Sequence, residues 1–511
     1  MKHTIILLVA LFLGSLNVNA ANKKLFNYID SDTLSSKQKE RIKKLSNKSH
    51  HQKIIKLEES AFRNSTSSFD IELLDIGLLT FSDIKSRKNN LGHTIINSKS
   101  LDSSTDRLTL TSTPDGTFVG ILFAGGKIYD ILPISDDIYS LTENNEVNLP
   151  EEPILEDLSD EASTSYDDSV FESTYDSNNY ITSSSSLAAS NVIDIAVVYT
   201  DNALDELGSE SAIEAQIMLM HDQINTIMEN NGVDSAVAAQ LVYVGPTSYE
   251  QSANDIFTYL DDLKDGTVPE TDDLRNAYGA DIVAMIVSDG GYCGVATLTA
   301  SANQAFMVVK TFCTNYTFAH ELGHLIGMNH NYEESPSNNY YHGYLLEGVH
   351  RTVLSYNSEN TSTPRIPYWS SDDQSVDGYS IGNATLADNE RRLLARDTTV
   401  SNFRTTAEFD NDPTASISSN VCYGQNTMSF TTYSSSNYYR VYRSSSSNMT
   451  SPYLYGTWTG GSAAITISSS DTDVNFAVKA CVTDTDDACT ELSNSVTATY
   501  IPRCSTGGTR G

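Results

Sequence analysis

Cysteine is missing from this chain of 511 residues until Cys293. No two of its six cysteines, Cys293, Cys313, Cys422, Cys481, Cys489 and Cys504, stand at the close spacing of a zinc knuckle. That disfavours a cluster of thiolates around a metal. Basic residues are scarce too. Not one Lys or Arg occurs between residues 129 and 263, and 32 Lys and Arg against 66 Asp and Glu leave a formal net charge of −34. Phosphate would be repelled, so nucleic acid is excluded as a partner. Beyond the N-terminus no apolar run is long enough to span a bilayer, and no membrane insertion is expected. A complete calcium-loop motif is also lacking, which leaves Ca2+ only the general acidity of the chain in its favour.

The N-terminus reads as an export signal over residues 1–20. Lys2 and His3 precede an apolar run at 5–13, and Val18-Asn19-Ala20 offers small residues for cleavage. A secreted, extracellular product follows, and in that setting an even cysteine count reads as disulfides. The preferred pairing is Cys293–Cys313, Cys481–Cys489 and Cys422–Cys504, with other pairings open.

The length suits several domains. Residues 21–60 have helical character and crowd Lys and Arg between 23 and 56, a stretch that could dock on the acidic remainder or simply be a solvated face. From 69 to 139 short apolar runs alternate with turn signals such as Pro114-Asp115-Gly116, the pattern of a small β-rich unit. Segment 143–190 is acidic and Ser-rich with few aliphatics, a linker open to cleavage. From 191 to 408, strands at 192–199, 236–244, 281–288 and 304–310 alternate with helices at 211–230, 256–263 and 315–326, which predicts an α/β domain. From 412 to 503, runs at 428–432, 438–442, 463–467, 474–478 and 496–501 suggest an all-β sandwich, followed by a tail at 504–511.

The densest chemistry lies in His320-Glu321-Leu322-Gly323-His324-Leu325-Ile326-Gly327-Met328-Asn329-His330. On a helix, His320 and His324 project from one face. Gly327 can adopt the left-handed conformation that ends a helix and let the chain bring back His330 as a third ligand. Three imidazoles leave a fourth zinc position open, the catalytic arrangement, and Glu321 stands where it can hold a water without being a ligand.

All five fixed positions match His-Glu-x-x-His-x-x-Gly-x-x-His, and the chain resembles the metzincin zinc endopeptidases, particularly the secreted bacterial members of the reprolysin-like (adamalysin-related) group. The likeness extends through 193–204, 274–287, 292–298 and 366–372, and so covers residues 191–405. The resemblance implies a multidomain protein: a β-rich pro-domain at 21–142, a metzincin-type catalytic domain with a mixed sheet and a zinc-binding helix, and a C-terminal module similar to fibronectin type III or immunoglobulin-like domains. It implies one catalytic Zn2+ on His320, His324 and His330, with Glu321 as the base that activates water against a peptide bond of a protein or peptide substrate. It also implies an edge strand that pairs with substrate, for which the stretches around 295–299 and 304–309 are candidates. Two positions depart from the pattern: Leu354 stands where the family has a methionine beneath the zinc, and Asn331 follows the third His where reprolysins have Asp. Leu is apolar and of similar volume, so the packing floor can survive. Tyr356 matches a Tyr that steadies the oxyanion in the astacin and serralysin branches; a packed turn residue is the other reading. Residues 366–369 are candidates for a wall of the pocket that takes the residue after the scissile bond, or for core. With no early cysteine to silence the zinc, latency must rest on a carboxylate, on His50, His51 or His93, or on blockage of the cleft. The competing function is an exported adhesion or binding protein on an inactive protease scaffold; the retained Glu321 and three His favour the enzyme. Monomer is the default state.

Overall fold

The computed structural model describes residues 23–144, 155–156 and 190–404 with short interruptions, and the strands lying between 415 and 501. The export signal, most of segment 143–190, His50, His51, the tail, and the side chains of Cys422, Cys481, Cys489 and Cys504 fall outside the described residues.

Residues 23–143 build a ten-stranded sheet, antiparallel except where Lys23–Lys24 joins Ser68–Leu73. Its strand Phe118–Ala124 is buried along its whole length because the sheet is covered on both faces. Phe118, Leu122 and Ala124 enter the unit's own core, while the alternate residues Val119, Ile121 and Phe123 enter the core of the following domain. The β-rich unit therefore begins well before residue 69. Among the described residues the helical character expected over 21–60 is found in Ser36–Ser46 and in the short turns Ser31–Thr33 and Glu59–Ala61, and Gln52–Leu57 is a strand paired with Ile138–Glu143, since Ile55 and Leu57 alternate into the sheet's core. Of the basic stretch 23–56, Arg41 reaches the next domain, donating to the carbonyls of Glu206 and Leu207. Lys24 and Lys56 pair within the unit, with Glu72 and Asp137.

The next domain has a six-stranded sheet in the order Leu155–Glu156, Gly294–Leu298, Phe306–Lys310, Ile282–Val287, Asn191–Tyr199, Val237–Pro246. Neighbours run parallel except Gly294–Leu298 against Phe306–Lys310. The long helix Glu210–Asn231, capped by the Ser209 hydroxyl and ended by left-handed Gly232, covers one face together with Thr317–Ile326. Ile256–Lys264 covers the other. Among the described residues Gly294–Leu298 has only the two-residue strand Leu155–Glu156 outside it, so it is the edge of the sheet that the domain builds from residue 191 onward. The alternative stretch at 304–309 is interior, hydrogen-bonded on both sides. Cys293 and Cys313 are disulfide-bonded, tying the start of the edge strand to the loop ahead of Thr317–Ile326.

C-terminal of residue 414, a three-stranded and a five-stranded sheet share a core of Met428, Phe430, Tyr439, Val441, Ile465 and Phe476. Strands Ala415–Ile417 and Tyr453–Trp458 add to those read from the sequence. Among the described residues no helix is long and apolar enough to cross a membrane.

Candidate metal centre

The helix Thr317–Ile326 sinks Phe318, Ala319, Leu322, Leu325 and Ile326 into the core, which leaves His320 and His324 on the remaining face. It ends at Gly327, φ 101°, where a Cβ would lie 2.7 Å from Thr299 Oγ1; backbone and neighbour both demand glycine. The chain then doubles back. Asn329 N–H donates to Tyr341 O at 2.8 Å and Gly343 N–H to Asn329 O at 2.9 Å, which delivers His330 to the other two histidines.

The three Nε2 atoms lie 3.0 Å (His320–His324), 2.9 Å (His324–His330) and 3.1 Å (His320–His330) apart. A tetrahedral zinc bonded at its usual length sets its nitrogens about 3.3 Å apart. His320 Nδ1 bonds Val353 O and His324 Nδ1 bonds Met328 O, each at 2.9 Å. A carbonyl only accepts, so both rings carry their proton on Nδ1 and turn an Nε2 lone pair inward. Lone pairs that converge so closely repel unless a cation sits among them, and this donor set fits zinc. Burial first, then His324 and His320, then Arg365, hold the His330 imidazole well below its usual range and keep it neutral for ligation. Among the described residues, these three His form the group of three or more His, Cys, Asp or Glu whose ligand atoms lie within 4.8 Å of one another.

Around them, His342 is wholly buried; its Nδ1 bonds His330 O and its Nε2 bonds Ser337 Oγ, both at 2.8 Å. Asn331 Oδ1 accepts from Tyr356 N–H at 2.9 Å and ties the third-histidine loop to the turn below. The Tyr356 ring packs 4.0 Å from that of His330 and 5.9 Å from that of His320. Leu354 presses on the helix, since a Cβ on Gly323 would come 2.9 Å from its Cδ2, so the apolar floor survives the departure from methionine. The Glu321 carboxylate is fully buried against the edge strand, where a Cβ on Gly294 would lie 2.4 Å from Oε1. Of residues 366–369, Ile366 and Trp369 are buried and Trp369 belongs to the main core, while Pro367 and Tyr368 keep partial exposure. His93 is engaged elsewhere: its Nε2 lies 3.8 Å from the Glu214 carboxylate on the long helix.

The structure thus brings together Glu321, Tyr356 and the three ligand candidates. Sequence reasoning missed His342, Gly294 and Arg365. Only His342 carried a signal, as one of ten histidines lying twelve residues past His330.

Residues 189–370 match the Reprolysin_5 family model, described as metallo-peptidase family M12. The chain is 28% identical to a peptidyl-Asp metalloendopeptidase of Xanthomonas campestris pv. campestris over 56% of its own length and 68% of the relative's. It is 27% identical to one of Stenotrophomonas maltophilia (strain K279a) over 65% and 78%. Among solved structures, metalloproteinase-II from Bacteroides fragilis superposes with a TM-score of 0.33 at 13% identity, over 56% of this chain and 84% of that one, too loosely to bear on the fold. The family match and the three converging histidines agree: residues 189–370 are a reprolysin-like metallopeptidase domain of family M12, and the chain that carries it is a zinc metalloendopeptidase.

Proposed function

We propose that this endopeptidase is exported, is made as a proenzyme, and cuts peptide bonds beside acidic residues, with His320, His324 and His330 as zinc ligands and Glu321 as general base. The observation that carries this reading is the convergence of three Nε2 atoms within 3.1 Å beside the buried Glu321 carboxylate. Zinc, when bound, supplies a Lewis acid that polarises a peptide carbonyl and acidifies water. Glu321 takes a proton from the attacking water and returns it to the leaving nitrogen. Tyr356 steadies the developing oxyanion; the packing of its ring on His330 supports the role. The edge strand Gly294–Leu298 takes an extended substrate as an added strand, a mode supported by its existing pairing with Leu155–Glu156.

That same pairing supports latency by blockage of the groove, with residues 21–142 as pro-domain, 143–190 as the region cut on maturation, and residues 1–20 as the export signal. The names of the relatives, peptidyl-Asp metalloendopeptidases, support an acidic residue beside the scissile bond. The C-terminal sheets serve as a fibronectin type III- or immunoglobulin-like placement module, and the protein acts as a monomer.

The test is hydrolysis of casein by the zinc-loaded, processed protein, with and without o-phenanthroline, beside Glu321→Ala. The chelator should abolish cleavage. The variant should lose about 10²- to 10⁴-fold in rate, the contribution of a positioned general base, while retaining one zinc per chain. Zinc-replete wild type that cleaves neither casein nor a broad peptide library would sink the reading.

A further inference from the structure

Arg365 has no carboxylate partner among the described residues, and it leads into the segment 366–368 below the histidine helix. Its backbone neighbours pair with the strand that leads into the turn below them: Arg351 N–H donates to Pro364 O at 2.9 Å and Ile366 N–H to Arg351 O at 2.8 Å. From there Arg365 reaches up to the start of the histidine helix, where Nη1 donates to Asn315 O at 2.8 Å. The guanidinium therefore lies between the N-terminal end of that helix and the segment 366–368. The segment that follows it runs beneath the histidines: Val353 N–H donates to Tyr368 O at 2.9 Å, and the Val353 carbonyl accepts from His320 Nδ1 at 2.9 Å.

The side chain is only half-buried, yet its Nε is sealed from solvent and has no hydrogen-bond partner. Among the described residues no carboxylate stands within ion-pair distance of it, in a chain with 66 Asp and Glu. The helix N-terminus beside it adds partial positive charge of its own. Arg107 also arrives here, its Nε donating to the Tyr316 hydroxyl at 2.6 Å and its Nη2 to Arg365 O at 3.4 Å. Arg107 belongs to the N-terminal unit, however, and leaves with it, whereas Arg365 stays with the catalytic domain.

We propose that Arg365 is the specificity-determining residue of this peptidase: its free guanidinium edge receives the side-chain carboxylate of an acidic residue that follows the scissile bond. The planar fork of donors suits a carboxylate, and such charge-assisted bonds are strongest where water is partly excluded. This rests on the peptidase reading above. An uncharged side chain in that place would forgo the charge-assisted bond, so selection works by attraction.

The experiment measures kcat/KM of the zinc-loaded, processed protein on three quenched-fluorescent peptides that differ only after the scissile bond: Asp, Asn or Lys. Wild type should prefer Asp over Asn. Arg365→Ala should lose about 10- to 100-fold on the Asp peptide, the worth of a hydrogen bond to a charged group, and far less on the Asn peptide, with its zinc content retained. Arg365→Lys should keep part of the preference, and Arg365→Glu should shift it toward Lys. Equal losses on the Asp and Asn peptides in Arg365→Ala would mark a structural role and overturn the proposal, as would a wild type that cuts the two alike. A wild type that cuts none of the three, nor casein, overturns the peptidase reading itself.

Discussion

At the scale of single residues, the histidine cluster depends on groups that touch no metal. His342 clamps the His330 carbonyl, and Asn331 clamps the backbone of Tyr356, so the third ligand is held from two sides. Such orienting bonds typically contribute 10- to 100-fold to metal affinity. Competition with a fluorescent zinc chelator should accordingly show His342→Ala binding zinc about 10- to 100-fold more weakly, with far-ultraviolet circular dichroism unchanged; an unaltered affinity would remove His342 from the site. His320, Glu321, His324, Gly327 and His330 were legible in the sequence because helix periodicity and a glycine turn are local rules. His342 and Arg365 were not, because a loop and a strand crossing bring them in from outside the motif, and no spacing encodes that. The swap at Leu354 conserves size, and a Cβ on Gly323 would come 2.9 Å from its Cδ2.

Among elements, the edge strand Gly294–Leu298 is the one on which most depends: it backs Glu321, and it is fastened at its start by Cys293–Cys313. Its identity could not be settled from apolar runs, since 304–309 and 295–299 both mix apolar and β-branched residues; only the sheet order separates edge from interior. Likewise the helix-like Lys and Leu spacing before residue 60 was overridden where Gln52–Leu57 could pair with Ile138–Glu143. The disulfide closes a loop with a sequence separation of 20, and cross-links of that size stabilise by about 3 kcal/mol, chiefly by restricting the unfolded chain. Replacing both cysteines by serine should lower the unfolding free energy in denaturant by about that much and, if the edge strand takes substrate as proposed, raise KM for extended peptides more than for dipeptides, because that strand loses its anchor. Equal KM for long and short peptides would detach the bond from substrate binding.

For the molecule as a whole, charge and packing join the parts. Asp281 accepts from the backbone N–H of Asp194 on the first strand of the domain and of Arg404 near its end, at 2.9 and 3.1 Å. Burial raises its carboxyl from 3.8 to about 6, against the pull of those bonds. The folded state thus holds this proton more tightly than the unfolded chain does. Its contribution is fully present below the ordinary carboxylate range and is lost as pH rises through about 6. Thermal melts of wild type and Asp281→Asn between pH 4 and 7 should diverge, wild type losing about 1–2 kcal/mol relative to the variant once solvent screening is allowed for. Parallel melts would place the carboxyl at its ordinary value.

The strand Phe118–Ala124 carries one more implication. Val119, Ile121 and Phe123 share a core with Ile217 and Ile224 of the long helix, while Arg87 and Lys85 grip Asp222 and Glu229 on the same helix. A protease that severs the chain between 157 and 189 disturbs none of these contacts. Under the proenzyme reading proposed above, severing and parting are therefore separate events: a nicked chain would keep its N-terminal unit through non-covalent contacts alone. The time to full activity would then be set by how fast that unit falls away or is digested, and dilution, which leaves cutting within one chain unaffected, would govern whether it returns.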